Sequence, residues 1–259
     1  MTGETITIIG GGPSGMTLAW WLVEQGMPVT LLEREPEVPH DMRASTFHPA
    51  TLDLLAPSGL SHELLACGTE VSRWQYLIHA TGETAIFDMA CLADITEFPF
   101  RLQCEQFQLT ELLAQRLTEH PLCDIRFGVE FVDCHQDASG VDVSVIDQGR
   151  EASIRCDWLL AADGARSPIR SMMGLRLAGQ NFEGRYIIAD IQMENPVPVE
   201  RFALFDPDAR PGSTVLVHQQ PDNIWRIDYQ LRDDEDEDEA LREENIRAAV
   251  QKVLDECGY

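Results

Sequence analysis

Three glycines, Gly10, Gly12 and Gly15, stand in the spacing GxGxxG, and an acidic residue, Glu33, follows about 20 residues on. Glycine at these places does specific work. The first permits a tight turn, the second lets a pyrophosphate approach the backbone, and the third lets a helix pack on a strand. A helix opening there offers unpaired N–H groups and a positive dipole end to phosphate, to which Ser14 adds a hydroxyl donor. The Glu33 carboxylate suits the free hydroxyls of a ribose better than a 2′-phosphate, so the pattern predicts binding of FAD or NAD in preference to NADP. It does not by itself separate the first two.

The elements needed to position these groups are legible around them. Thr5–Ile9 is a short β-branched run without polar alternation, as in a buried parallel strand; Ser14–Gln25 reads as a helix; Val29–Leu32 reads as the next strand, ending in Glu33. Further on, Pro49–Leu55 and Glu63–Ala66 read as short helices, and Val71–His79 and Glu83–Met89 as strands. Glu105–Glu119 has helical spacing of Leu109, Leu112, Leu113 and Leu117. Ile125–Val132, Val141–Ile146 and Ala152–Leu160 alternate with turn residues as a β-meander does. Four more strands, Ile187–Met193, Arg201–Phe205, Thr214–Gln219 and Ile224–Leu231, suggest a separate antiparallel sheet. Helical spacing returns over Glu239–Cys257, through Leu241, Ile246, Val250 and Leu254.

After the strand Trp158–Ala161 comes the run ADGARSPIR, from Ala162 to Arg170. With it the chain resembles the class A flavoprotein aromatic hydroxylases, the para-hydroxybenzoate hydroxylase-like FAD monooxygenases. The resemblance implies that Asp163 and Gly164 lie by the FAD pyrophosphate and the path used by NAD(P)H. It gives Arg43 a contact with the FAD phosphates, Gln106 an approach to the flavin ribityl chain, and Glu33 with Arg34 the ribose and adenine. The Phe182–Gly184 turn resembles the family's entry into its substrate domain. Plainer roles are also open: Gln106 as a helix cap, Asp163 as a turn residue, His48 as a helix-start residue ahead of Pro49, and His218 as a satisfied core or edge histidine. His48 and His218 are the weak candidates for a catalytic role.

The implied fold is α/β: a Rossmann-like FAD-binding domain of parallel sheet plus β-meander over 1–70 and 101–180, and an antiparallel-sheet substrate domain (α+β) over 71–100 and 181–259. The implied activity is hydroxylation of a phenolic or other aromatic substrate by O2 through a flavin C4a-hydroperoxide, with FAD as cofactor and NADH or NADPH as transient co-substrate. A third family signature, GDAAH-like, does not occur before Tyr259. The expectation drawn from this is an N-terminal portion that self-associates as a homo-oligomer or needs a C-terminal complement. A nucleotide-binding fragment or interaction module without catalysis, and a flavin-dependent reductase, are the alternatives. A halogenase fits less well, because the only lysine is Lys252 and no WxWxIP motif is present.

Bulk properties narrow the remaining classes. A formal charge of −25 on 259 residues opposes nucleic-acid binding, since a phosphate polymer would meet a repulsive field. No apolar run approaches the length of a membrane span. The start lacks the basic residues and cleavage site of a secretory signal, so the expected location is cytoplasmic. Seven cysteines, odd in number and without a CxxC pair, suggest reduced thiols, no disulfide framework and no metal site.

Overall fold

The computed structural model describes residues 4–40, 44–193 and 201–257. The chain forms two compact units, one of Met1–Ala44 with Glu105–Gly179, the other of Ser45–Cys104 with Gln180–Tyr259. The expected position of Arg43 lies outside the described residues.

The first stretch contains β1 (Ile6–Ile9), α1 (Pro13–Glu24) and β2 (Val29–Glu33). Every residue of β1 is buried, which explains its lack of polar alternation. Pro13 opens α1, where its missing N–H costs nothing, and Gly26 at φ +79° carries the chain away from the helix end.

The second stretch holds β3 (Thr46–Phe47), α2 (Pro49–Leu55), α3 (Leu60–Cys67), β4 (Thr69–Val71), β5 (Arg73–Ile78), β6 (Glu83–Asp88) and β7 (Arg101–Gln103). β3 and β4 both pair with β7 in a three-stranded sheet. That pairing draws residues 45–70 and 101–104 into the second unit, an allocation that differs from the boundaries expected at 70 and 101.

The chain then returns through α4 (Gln106–Glu119), β8 (Cys123–Phe127), β9 (Val129–Asp137), β10 (Gly140–Asp147), β11 (Arg150–Cys156), β12 (Trp158–Ala161) and α5 (Pro168–Met172). The parallel sheet has the order β12, β1, β2, β8, and β9, β10 and β11 form the meander. Two runs that read as single meander strands are each divided between these sheets. Gly128, at φ +73°, turns the chain from β8 into β9. Asp157 separates β11 from β12, and its carboxylate accepts hydrogen bonds from the backbone N–H and hydroxyl of Thr5 at 2.6 and 2.7 Å. A core including Ile9, Leu32, Val129, Val143 and Ile169 joins the two sheets of this unit.

The last stretch comprises β13 (Arg185–Gln192), β14 (Arg201–Phe205), β15 (Thr214–Gln219), β16 (Ile224–Leu231), α6 (Glu237–Ala240) and α7 (Glu243–Cys257). A six-stranded sheet runs β13, β16, β15, β14, β5, β6. It is antiparallel except where β14 lies parallel to β5. One face, with Val215, Val217, Trp225, Ile227 and Tyr229, packs with Val250, Val253 and Leu254 of α7. Leu241, expected on the buried stripe, is exposed, because the helix breaks between α6 and α7. No helix among the described residues is long and apolar enough to cross a membrane.

Candidate functional site

The glycine turn joins three elements of the first unit. Gly10 donates its N–H to the Leu32 carbonyl at 2.8 Å and has φ +107°, a conformation that favours glycine. A Cβ on Gly10 would lie 2.4 Å from the Ala162 carbonyl oxygen, and one on Gly15 would lie 1.9 Å from the Gly10 oxygen. These two glycines therefore serve backbone packing at the ends of β1 and β12. Gly12 is different: a Cβ there would meet nothing within 4 Å among the described residues.

Gly12 is also the N-cap of α1, and no side chain caps this helix end. No acidic residue stands in the first turn, so the positive end of the helix keeps its capacity for an anion. Ser14 is exposed beside it. An open glycine at an uncapped helix N-terminus has the steric and electrostatic character a diphosphate requires, and the site fits that part of FAD.

Glu33, at the end of β2, is tied to the same turn. One carboxylate oxygen accepts the Gly11 N–H at 2.6 Å, and the other accepts the Glu35 N–H at 2.9 Å. An ionised carboxylate has about four acceptor positions, so capacity for ribose hydroxyls remains. Gly11, a filler position in the motif, is required by this arrangement: a Cβ on it would lie 2.8 Å from that of Glu33. Arg34 is exposed and pairs with Glu35 at 3.2 Å.

The second signature follows β12 directly. Asp163 accepts hydrogen bonds from the Ser167 hydroxyl at 2.7 Å and the Ile169 N–H at 3.2 Å, while Ser167 caps α5 by accepting the Arg170 N–H. Asp163 thus fixes the turn into α5. Gly164 adopts φ +80° in this turn, with open space where a Cβ would project. Gln106 is the first residue of α4 and donates its backbone N–H to the Ala44 carbonyl at 2.9 Å.

In the second unit, the sheet face opposite α7 carries a row of polar side chains. Strand register places Trp74, Arg201, His218, Arg226 and Asp190 side by side across five strands. Arg226 is buried in a two-bond ion pair with Asp190 at 2.8 Å and donates to the Ser45 hydroxyl at 2.8 Å. His218 is 3% exposed, yet neither ring nitrogen has a hydrogen-bond partner among the described residues. Its Nε2 lies 3.8 Å from Asp228. Burial, then Arg201, Arg226 and Arg101, lower its pKa to about 3, so the ring is neutral. Burial raises the Asp228 carboxyl to about 6 against the pull of Arg226 and Arg201. His48 is the exposed N-cap of α2, its pKa lowered by burial, Arg101 and Arg201.

The arginines and Asp228 were not apparent as site residues in the sequence. The one local signal is a polar residue alternating with apolar ones along β15 and β16; the cross-strand register that unites them is not local.

One unit holds a phosphate-ready glycine turn on a parallel sheet and the other a six-stranded sheet, and the FAD binding domain family matches residues 4–257. The chain belongs to that family, and its resemblance to the class A FAD-dependent aromatic monooxygenases is borne out. It is 28% identical over 258 residues to 6-hydroxy-3-succinoylpyridine 3-monooxygenase HspB of Pseudomonas putida (strain DSM 28022 / S16), covering 98% of this chain and 63% of the relative. It is likewise 28% identical over 245 residues to para-nitrophenol 4-monooxygenase of Pseudomonas sp. (strain WBC-3), covering 94% and 59%. The crystal structure of p-nitrophenol 4-monooxygenase PnpA from Pseudomonas putida DLL-E4 superposes with a TM-score of 0.83 at 26% identity, over 97% of this chain and 63% of that one. The chain therefore spans less than two thirds of the length of the curated relatives it matches.

Proposed function

We propose that the first unit binds FAD and that the chain is the flavin- and substrate-binding part of a monooxygenase that hydroxylates a phenolic or related aromatic ring with O2, using NADH or NADPH as reductant. The observation that carries this reading is the pairing of an open, uncapped Gly12 helix end with a Glu33 carboxylate held beside it. In this reading the first-turn N–H groups of α1 and the Ser14 hydroxyl hold the diphosphate, and Glu33 accepts from the ribose. Arg34 lies over the adenine. Gln106 and Arg43 complete the cofactor contacts, and Asp163 and Gly164 shape the turn against which the pyrophosphate lies.

Bound there, FAD would supply the redox chemistry of reduction by nicotinamide and activation of O2. The chain's own part is to orient the cofactor by its adenylate end and to hold an aromatic ring on the sheet face of the second unit. His218, neutral and without a hydrogen-bond partner among the described residues, has the capacity to accept a hydrogen bond from a phenolic hydroxyl there.

The test is reconstitution of the purified chain with FAD, followed by NADH or NADPH oxidation in air with and without phenolic compounds. Flavin retained with phenol-stimulated oxidation and a hydroxylated product supports the monooxygenase. Oxidation that ignores phenols supports a reductase, and a chain that takes up no flavin contradicts the reading.

A further inference from the structure

Within the second unit the end of α3 meets the end of β7. Cys67 closes α3, Gly68 follows it, and Thr69 at the start of β4 stands opposite Gln103 of β7. The approach is close: a Cβ on Gly68 would lie 2.5 Å from Leu102 Cδ1 and 3.1 Å from the Gln103 carbonyl oxygen. This packing sets Cys67 Sγ 3.8 Å from Cys104 Sγ, and the Cys67 thiol donates to the Leu64 carbonyl at 3.3 Å. Cys67 is exposed, whereas Cys104 is fully buried. One thiol therefore faces solvent while the other waits behind it.

Other thiols of the chain are set apart from this pair. Burial, then Asp124, pushes Cys123 up to about 11, and burial, then Glu256, does the same for Cys257. Burial also raises Cys134, with Asp133 adding to it. A thiol kept protonated is slow toward oxidants, because the thiolate is the nucleophile. Cys156 is buried, and Cys91, exposed as Cys67 is, supplies a comparison within the same chain.

We propose that Cys67 and Cys104 form a peroxide-sensitive dithiol pair that closes reversibly to a disulfide. The Cys67 sulfur attacks one oxygen of hydrogen peroxide, the O–O bond breaks, water leaves, and Cys67 becomes a sulfenic acid. The Cys104 sulfur then attacks that sulfur, the S–O bond breaks, and a second water carries off the oxygen with the Cys104 thiol proton. Two thiols and one peroxide give one disulfide and two waters; the sulfurs lose the two electrons that the peroxide gains. Closure to about 2.05 Å needs an approach of about 1.8 Å, which falls to the exposed Cys67 side chain at its helix end. The bond ties α3 to β7 and closes the chain from residue 67 to residue 104 into a loop, restricting the unfolded state. A dithiol reductant reopens it by exchange. Peroxide from solution is the oxidant, so nothing in this chemistry requires bound flavin.

To test it, the full chain is reduced, freed of reductant and treated with hydrogen peroxide; remaining thiols are alkylated and the peptides mapped by mass spectrometry. The expected product is a linked Cys67–Cys104 peptide that dithiothreitol abolishes and that does not include Cys91. The unfolding midpoint of the oxidised chain should exceed that of the reduced chain by at least about 4 °C and return on reduction. In Cys104→Ser the Cys67 sulfenic acid has no sulfur to close on, so its capture by dimedone should rise about tenfold over the parent. Circular dichroism checks folding; should Cys104→Ser fail to fold, Cys67→Ser, changed at an exposed position, must abolish both the linked peptide and the midpoint shift. Cys67 oxidised without a link to Cys104, a link formed in preference between other cysteines, or a midpoint that peroxide leaves unchanged would overturn the proposal.

Discussion

Gly10 and Ala162 press together so closely that a methyl group on the glycine would lie 2.4 Å from the alanine carbonyl oxygen. The first residue of the phosphate-binding turn and the first residue of the ADGARSPIR run thereby define one another's position. Both lie at the ends of neighbouring parallel strands, with Ile9 registered against Ala161.

Gly10→Ala should accordingly destabilise the first unit by about 2–4 kcal/mol, through overlap with backbone that cannot yield and through an unfavourable positive φ. Chemical denaturation followed by circular dichroism reads this loss. A variant as stable as the parent would show that the turn and β12 are not in close contact.

Glu33→Gln replaces a carboxylate that accepts two backbone N–H groups with an amide that has one accepting oxygen. Hydrogen bonds to a charged acceptor are worth about 1.5–3 kcal/mol, so FAD affinity should fall by about tenfold or more. Equilibrium titration by flavin fluorescence measures it, and an unchanged dissociation constant would remove Glu33 from the cofactor site.

Asp163→Ala strips the turn before α5 of an acceptor for the Ser167 hydroxyl and the Ile169 N–H. The expected cost is about 1 kcal/mol, typical of a lost helix cap, visible as a lower unfolding midpoint. No change in the midpoint would mean that these bonds add nothing to the fold.

His218 and Asp228 should give stability a pH dependence of opposing signs. The unfolded chain protonates His218 below its ordinary value of 6.5, whereas the folded chain holds the ring neutral to about 3, so stability falls as pH drops through this window. Asp228 acts in reverse between about 6 and 3.8, because its folded carboxyl binds the proton earlier. His218→Gln removes the first effect. Between pH 6.5 and 4 the variant should lose less stability than the parent, by about 3 kcal/mol at pH 4. Parallel pH profiles would contradict the buried, neutral histidine.

Legibility in the sequence followed locality. The glycine turn, the strands flanking α1 and the acidic end of β2 were readable because spacing within about thirty residues defines a strand, helix, strand unit. Gly11 was missed because its neighbour is the Glu33 side chain, which no local pattern reveals. The sheet changes at Gly128 and Asp157 were also hidden, since each strand run continues with little more than one residue between its two sheets. The row from Trp74 to Asp190 depends on register across five strands, of which β5 lies far from the other four in the chain, and a slip of one residue would turn each side chain to the other face.

The most direct measurement of the flavin assignment is an FAD titration of the parent chain beside Gly12→Ala. A Cβ at this position meets no atom of the described residues within 4 Å and the backbone has φ −73°, so the variant should fold with the parent's stability to within about 0.5 kcal/mol. Its methyl group would project into the space assigned to the diphosphate. The prediction is an unchanged unfolding midpoint with FAD affinity lowered about tenfold or more. Equal FAD affinity in the two proteins, or no FAD binding by the parent, would contradict the assignment.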